Sequence, residues 1–142
     1  MKWLSRAGIL LLTLGGLAVG AAAEEQFEIE VMVSQIGEAP GSVDPAGAAL
    51  HAKLQKRFRY ESLKVLKTET LRLGLDQVGT LNLPNGKPLR VRPLQLTDRG
   101  LLLAAHVGDI QTDLKLSRGH LVVIDAGRHA DGRLVVSFEA SW

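Results

Sequence analysis

The chain contains no cysteine. No disulfide can staple it, so its fold must hold by burial alone. The same absence excludes the usual bacterial lipoprotein, whose processed N-terminus needs a cysteine to acylate. Aromatic residues are also scarce, at 4% of the chain. That is too few for the two aromatic girdles of an outer-membrane barrel, even though the sequence ends in Trp142 on an alternating segment. Charge of one sign is missing as well. Bases exceed acids by only 17 to 15, and Lys2 and Arg6, both within the first 23 residues, account for the excess. The remainder is neutral overall, which gives no support to a generic nucleic-acid binder that must replace phosphate counterions.

What the chain does have begins at its start. Lys2 and Arg6 form a short basic region, an apolar run covers residues 7–20, and Ala21-Ala22-Ala23 precedes Glu24-Glu25. Positive charge, an apolar core and small side chains at the cut are what a secretory signal peptide requires. The apolar run is shorter than the roughly 20 residues that span a bilayer, and Gly15-Gly16 interrupts it. The expectation is a cleaved signal at 1–23 and one domain at 24–142, exported to the periplasm or the extracellular medium. No stable transmembrane span is expected after cleavage.

Residues 26–36 alternate Phe27, Ile29, Val31 and Val33 with Glu28, Glu30 and Ser34, the period of a half-buried strand. Asp44-Pro45 then opens a helix. Aspartate caps free N–H groups, and proline suits the first helical position. Ala46, Leu50, Leu54 and Phe58 make one apolar stripe at four-residue spacing. From Tyr60 onward the pattern is β. It includes a bulge or break between Val65 and Leu71, a hairpin at Pro84-Asn85-Gly86, and an edge or bulge marked by Pro93. Further turns fall at Asp98-Arg99-Gly100 and Ser117-Arg118-Gly119, with a Gly-rich loop at 126–132. Leu134, Val136, Phe138, Ala140 and Trp142 share the last apolar face. About eight short strands with one helix in the N-terminal half predict a mainly β (α+β) fold. Its expected architecture is an antiparallel β-sandwich with the helix at an end or across an edge.

The run Asp44-Pro45, Leu54, Phe58-Arg59-Tyr60-Glu61-Ser62-Leu63 resembles a motif in a group of small, uncharacterised secreted β-rich proteins of Gram-negative bacteria. The later Leu-Pro-x-Gly hairpin, Arg-Val-x-Pro-Leu strand and Gly-x-Leu-Val-Val-Ile strand follow the same order. The resemblance implies an exported β-rich domain and brings no catalytic residues with it. Gly119-His120-Leu121-Val122-Val123-Ile124 is more faintly similar to the closing strands of outer-membrane secretins.

One cluster has the residue types of a metal site: His120, Asp125, His129 and Asp131. Imidazole and carboxylate ligate divalent metals, but the spacing matches no zinc motif and the run lacks the ligands of a calcium loop. Turn-forming residues facing solvent is the plainer reading, and no metal or cofactor is expected. Ser62, Ser117 and Ser137 lack the elbow of a nucleophilic serine, so the chain reads as no enzyme. His51 and His106 read as structural. Charge is segregated along the chain. Glu24, Glu25, Glu28, Glu30 and Glu38 are followed by Lys53, Lys56, Arg57, Arg59, Lys64 and Lys67. These groups either complement each other within the fold or present a basic surface to a partner. The expectation is an exported, non-catalytic binding or assembly module of the cell envelope. Lys53, Lys56, Arg57 and Arg59 are its partner-binding candidates, facing another envelope protein or an anionic envelope polymer. An edge strand at 26–36 or 87–96 is a second candidate surface. The competing expectations are a metal-dependent enzyme at 120–131 and an outer-membrane or secretion-system component.

Overall fold

The structure, a computed structural model, describes residues 25–142. The segment read as a signal peptide lies outside the described residues. Among the described residues, eight strands form two antiparallel four-stranded sheets, with no closed barrel. The first sheet has the order β2 (Ser62–Leu73), β1 (Phe27–Gly37), β8 (Gly132–Ser141), β7 (Val122–His129). The second is a meander of β3 (Gly79–Asn82), β4 (Pro88–Thr97), β5 (Gly100–Val107) and β6 (Ile110–Leu116). The chain thus lays down β1 and β2, inserts the whole second sheet, and returns so that β8 pairs with β1.

The period-2 pattern decides which face each residue takes. Phe27, Ile29, Val31 and Val33 of β1 turn inward with Leu134, Val136, Phe138 and Ala140 of β8. Across from them stand Leu89 and Val91 of β4, Leu101, Leu103 and Ala105 of β5, and Leu114 and Leu116 of β6. Trp142 closes one end of this core. Its ring meets Phe27 edge-on at 6.1 Å, and the Arg118 guanidinium lies 4.7 Å over its face.

A second, smaller core lies on the outer face of the first sheet. Residues 38–61 arch over it and carry a single α-helix, α1 (Ala48–Leu54), which follows a 3-10 turn at Pro45–Gly47. Leu50 and Leu54 are buried there against Ile36, Leu63 and Val135. The helix therefore covers a sheet face rather than an end or edge of the sandwich. Asp44 caps as expected, accepting from the Ala46 N–H at 3.0 Å. The phase of the stripe differs from expectation. Ala46 is exposed and Gly47 is buried, because the first turn is wound at three residues rather than 3.6. A Cβ at Gly47 would sit 2.5 Å from a Leu63 methyl, so a larger residue there must displace the Leu63 side chain.

Three further details refine the sequence reading. The 84–86 loop has positive φ only at Gly86, and the Gly86 N–H bonds the Leu83 carbonyl at 3.0 Å. This is a three-residue loop rather than a two-residue Asn-Gly turn. Pro93 marks both a bulge, between Pro93 and Gln95, and the stretch of β4 that β3 is too short to cover. Residues 126–129 are not loop. They continue β7 to a tight turn at Ala130-Asp131, after a bulge between Asp125 and Gly127. The β2 bulge falls at Leu66, opposite Val33 and Ser34.

The register also corrects the edge strands. β1 pairs with β2 on one side and β8 on the other along its length, so 26–36 cannot accept a partner strand. β4 is flanked by β3 and β5 over its first half. Beyond that, its Pro93 carbonyl already accepts from the Asp76 N–H at 2.7 Å.

Candidate functional site

Several charge-bearing side chains gather on and after α1, at one end of the first sheet. Lys53 lies on the last turn of α1, Lys56 and Arg57 on the turn after it, and Arg59 on the segment leading to β2; all four are exposed. None of them enters an ion pair among the described residues. The acidic N-terminal strand does not neutralise them. Glu28 pairs instead with Arg72 at 2.9 Å, and Glu28 and Glu30 belong with Glu139 at the opposite end of the sheet's outer face. Intramolecular complementarity thus accounts for Arg72, and for Lys67, which meets Glu69 at 3.2 Å. It does not account for the basic turn after α1.

Arg59 also lines a small cleft of about 140 Å³ with Arg128 and Arg133. Glu38 and Asp131 share its walls, and Phe58 and Tyr60 supply apolar surface. Arg133 is committed to Asp125 at 2.6 Å, whereas Arg59 and Arg128 have no ion-pair partner among the described residues. The segment is fastened by Tyr60, whose hydroxyl lies 2.6 Å from His51 Nδ1 on α1, with the rings edge-on at 5.5 Å. Burial pushes the Tyr60 phenol above its ordinary value of 10.0. A larger groove of about 520 Å³ lies alongside, lined by Gln35, Ser42, Asp44, Ser62, Lys64 and Asp131 among others.

The four metal candidates are dispersed. His120 precedes β7 and Asp131 follows it, so an eight-residue strand, about 25 Å long when extended, stands between them. Asp125 is taken by Arg133 and by the Gly127 N–H at 2.9 Å. His129 lies at the end of β7, where its carbonyl accepts from Gln35 Nε2 at 3.4 Å. Among the described residues, no three His, Cys, Asp or Glu side chains are grouped to hold a metal. The serines are separate too. The Ser117 hydroxyl donates to the Arg99 carbonyl at 3.2 Å, and Ser137 is buried within β8. His51 serves α1 as just described. His106 is half-buried on the outer face of the second sheet, between Arg90 and Gln111.

Sequence reading missed Arg128 and Arg133 because 126–132 reads as a loop. The signal was present: an arginine two residues before and two residues after a two-residue hairpin turn, in strands whose register sets them opposite each other. Comparison with known protein families, curated proteins and solved structures finds no match to this chain.

Proposed function

We propose that this chain is an exported, non-catalytic binding or assembly module of the cell envelope, and that the basic turn after α1 contacts an anionic partner there. The observation that carries this reading is the set of exposed cations at Lys53, Lys56, Arg57 and Arg59 that form no ion pair among the described residues. Glu38 and Asp131 lie beside Arg59 in the adjoining cleft but form no ion pair with it, which leaves these charges open to a partner, an envelope protein or an anionic polymer of the envelope. Their placement on and just after a short helix held to the sheet by Leu50, Leu54 and the His51–Tyr60 contact gives them a platform. The export part rests on the order of residues 1–25. It is consistent with the absence, among the described residues, of a helix long and apolar enough to cross a membrane.

The experiment is copurification from cells expressing the whole chain, with K53E/K56E/R57E as the variant. Retention of wild-type partners by the charge-reversed protein removes the basic-surface reading. A protein recovered with Met1 intact removes the export reading.

A further inference from the structure

Four strands of a two-sheet sandwich lie at sheet edges, and an unpaired edge is a template for another strand unless it is guarded. Here three are guarded. β2 is bulged at Leu66, and residues 42–44 bond its start: the Asp44 N–H reaches the Leu63 carbonyl at 2.9 Å, and the Leu63 N–H reaches Ser42 at 3.1 Å. β7 is bulged at Ala126, whose carbonyl accepts from Asn85 Nδ2 at 3.0 Å. β3 has only four residues.

The fourth, β6, has none of these devices. Its seven residues, Ile-Gln-Thr-Asp-Leu-Lys-Leu, pair with β5 without a register shift and contain no proline. Among the described residues, no loop or side chain bonds the outer edge of its backbone. Because Val107 and Ile110 close a two-residue turn, Ile110, Thr112, Leu114 and Leu116 direct their backbone groups to β5. The N–H and C=O groups of Gln111, Asp113 and Lys115 point outward. Ile110, the most exposed large apolar residue described at 68%, sits at the start of this edge beside a groove of about 290 Å³.

We propose that β6 is a self-association edge, pairing antiparallel with β6 of a second copy about a two-fold axis at Leu114. The strand's own charges select this occupant. With the axis at Leu114, Asp113 of each copy faces Lys115 of the other, giving two opposite-charge pairs on the outer face of a continuous eight-stranded sheet. Axes at Asp113 or Lys115 would set like charges against each other. An axis at Thr112 would leave Asp113 facing Gln111. The edge belongs to the second sheet, so the proposal stands apart from the basic turn after α1 on the first.

The test is sedimentation velocity over a concentration series, with chain purified from cells expressing residues 1–142. Wild type is expected to show a monomer–dimer equilibrium. D113K and K115D each turn both pairs repulsive and are expected to weaken dimerisation by about 10-fold or more. The doubly exchanged D113K/K115D restores it. So does mixing the two single variants, because one then presents only lysines and the other only aspartates. Both charged positions are solvent-exposed, and circular dichroism of each variant checks that it remains folded. A wild type that stays monomeric to its solubility limit overturns the proposal. So does a D113K variant that dimerises as wild type does, or a double exchange that fails to recover.

Discussion

Ser34 is fully buried, and its hydroxyl has no hydrogen-bond partner among the described residues. It lies on the outer face of the first sheet, between Val65 and Val135, under the cover that α1 provides. An unpaired buried hydroxyl forfeits its water bonds at a cost of about 1–3 kcal/mol. Ser34→Ala removes that cost and leaves a void of one oxygen atom. Even loss of a whole buried methyl costs only about 0.5–1.5 kcal/mol, so the void offsets part of the gain. The net expectation is stabilisation of about 1 kcal/mol. For a domain of this size that raises the thermal midpoint by about 4 °C. In urea titration the midpoint should rise with an unchanged slope, since the surface exposed on unfolding is the same. Destabilisation by about 1 kcal/mol or more would refute the reasoning. It would mean that the hydroxyl has a partner and that α1 does not seal this face.

The remaining predictions test the helix platform and one turn. Leu54→Ala empties a fully buried position in the smaller core and should cost about 2–5 kcal/mol. A seven-residue helix has no stability of its own, so hydrogen exchange should show residues 48–54 losing protection before the strands do. Tyr60 is the chain's one tyrosine, so ultraviolet titration of phenolate reads it alone. Its midpoint should lie above 10.0. Because the folded state holds this proton more tightly, the stability it contributes is fully present below the ordinary phenol value and is lost as pH rises through the raised one. Tyr60→Phe should remove that part of the alkaline loss, measured against wild type by denaturant unfolding on both sides of the transition. Ala130 sits at φ 53°, a region that costs a residue with a Cβ roughly 1–2 kcal/mol. Ala130→Gly should therefore stabilise by up to about 1 kcal/mol, and a lower urea midpoint would contradict that assignment of strain.

The strands were legible because burial on one face imposes strict alternation. Phe27 to Val33 and Leu134 to Ala140 fall on their expected face without exception. Turn chemistry was legible where glycine or proline carries it, as at Gly86 and Pro93. What failed was phase and pairing. Nothing in the Asp44–Phe58 pattern distinguishes a 3-10 first turn from an α one, so Ala46 read as buried in place of Gly47. The β7 bulge at Ala126 breaks alternation where glycine and aspartate also imply a loop, and that concealed the Arg128–Arg133 pairing. Strand order is a long-range property. The β1 pattern is the same at a sheet's edge or centre, and only the return of β8 decides that it is central.

Edge position is also what separates the two surfaces that matter most here. The basic turn after α1 is a matter of charges left without partners, and it depends on a platform held by few side chains. The β6 edge is a matter of backbone groups left without partners, and it depends on a regular strand at the end of the second sheet's meander. Salt weakens the first by screening, and acts on the second only through the Asp113–Lys115 pairs, since main-chain bonds between strands are far less sensitive to it. Each surface can therefore be lost alone: Leu54→Ala loosens the platform and leaves β6 intact, while D113K disturbs β6 and leaves Lys53, Lys56 and Arg57 where they are. Were both proposals to hold, a dimer through β6 would carry two basic turns, and an extended anionic partner long enough to reach both would be held by avidity that neither turn supplies singly. Self-association and partner binding would then be coupled through geometry alone, with no conformational change required of the sandwich.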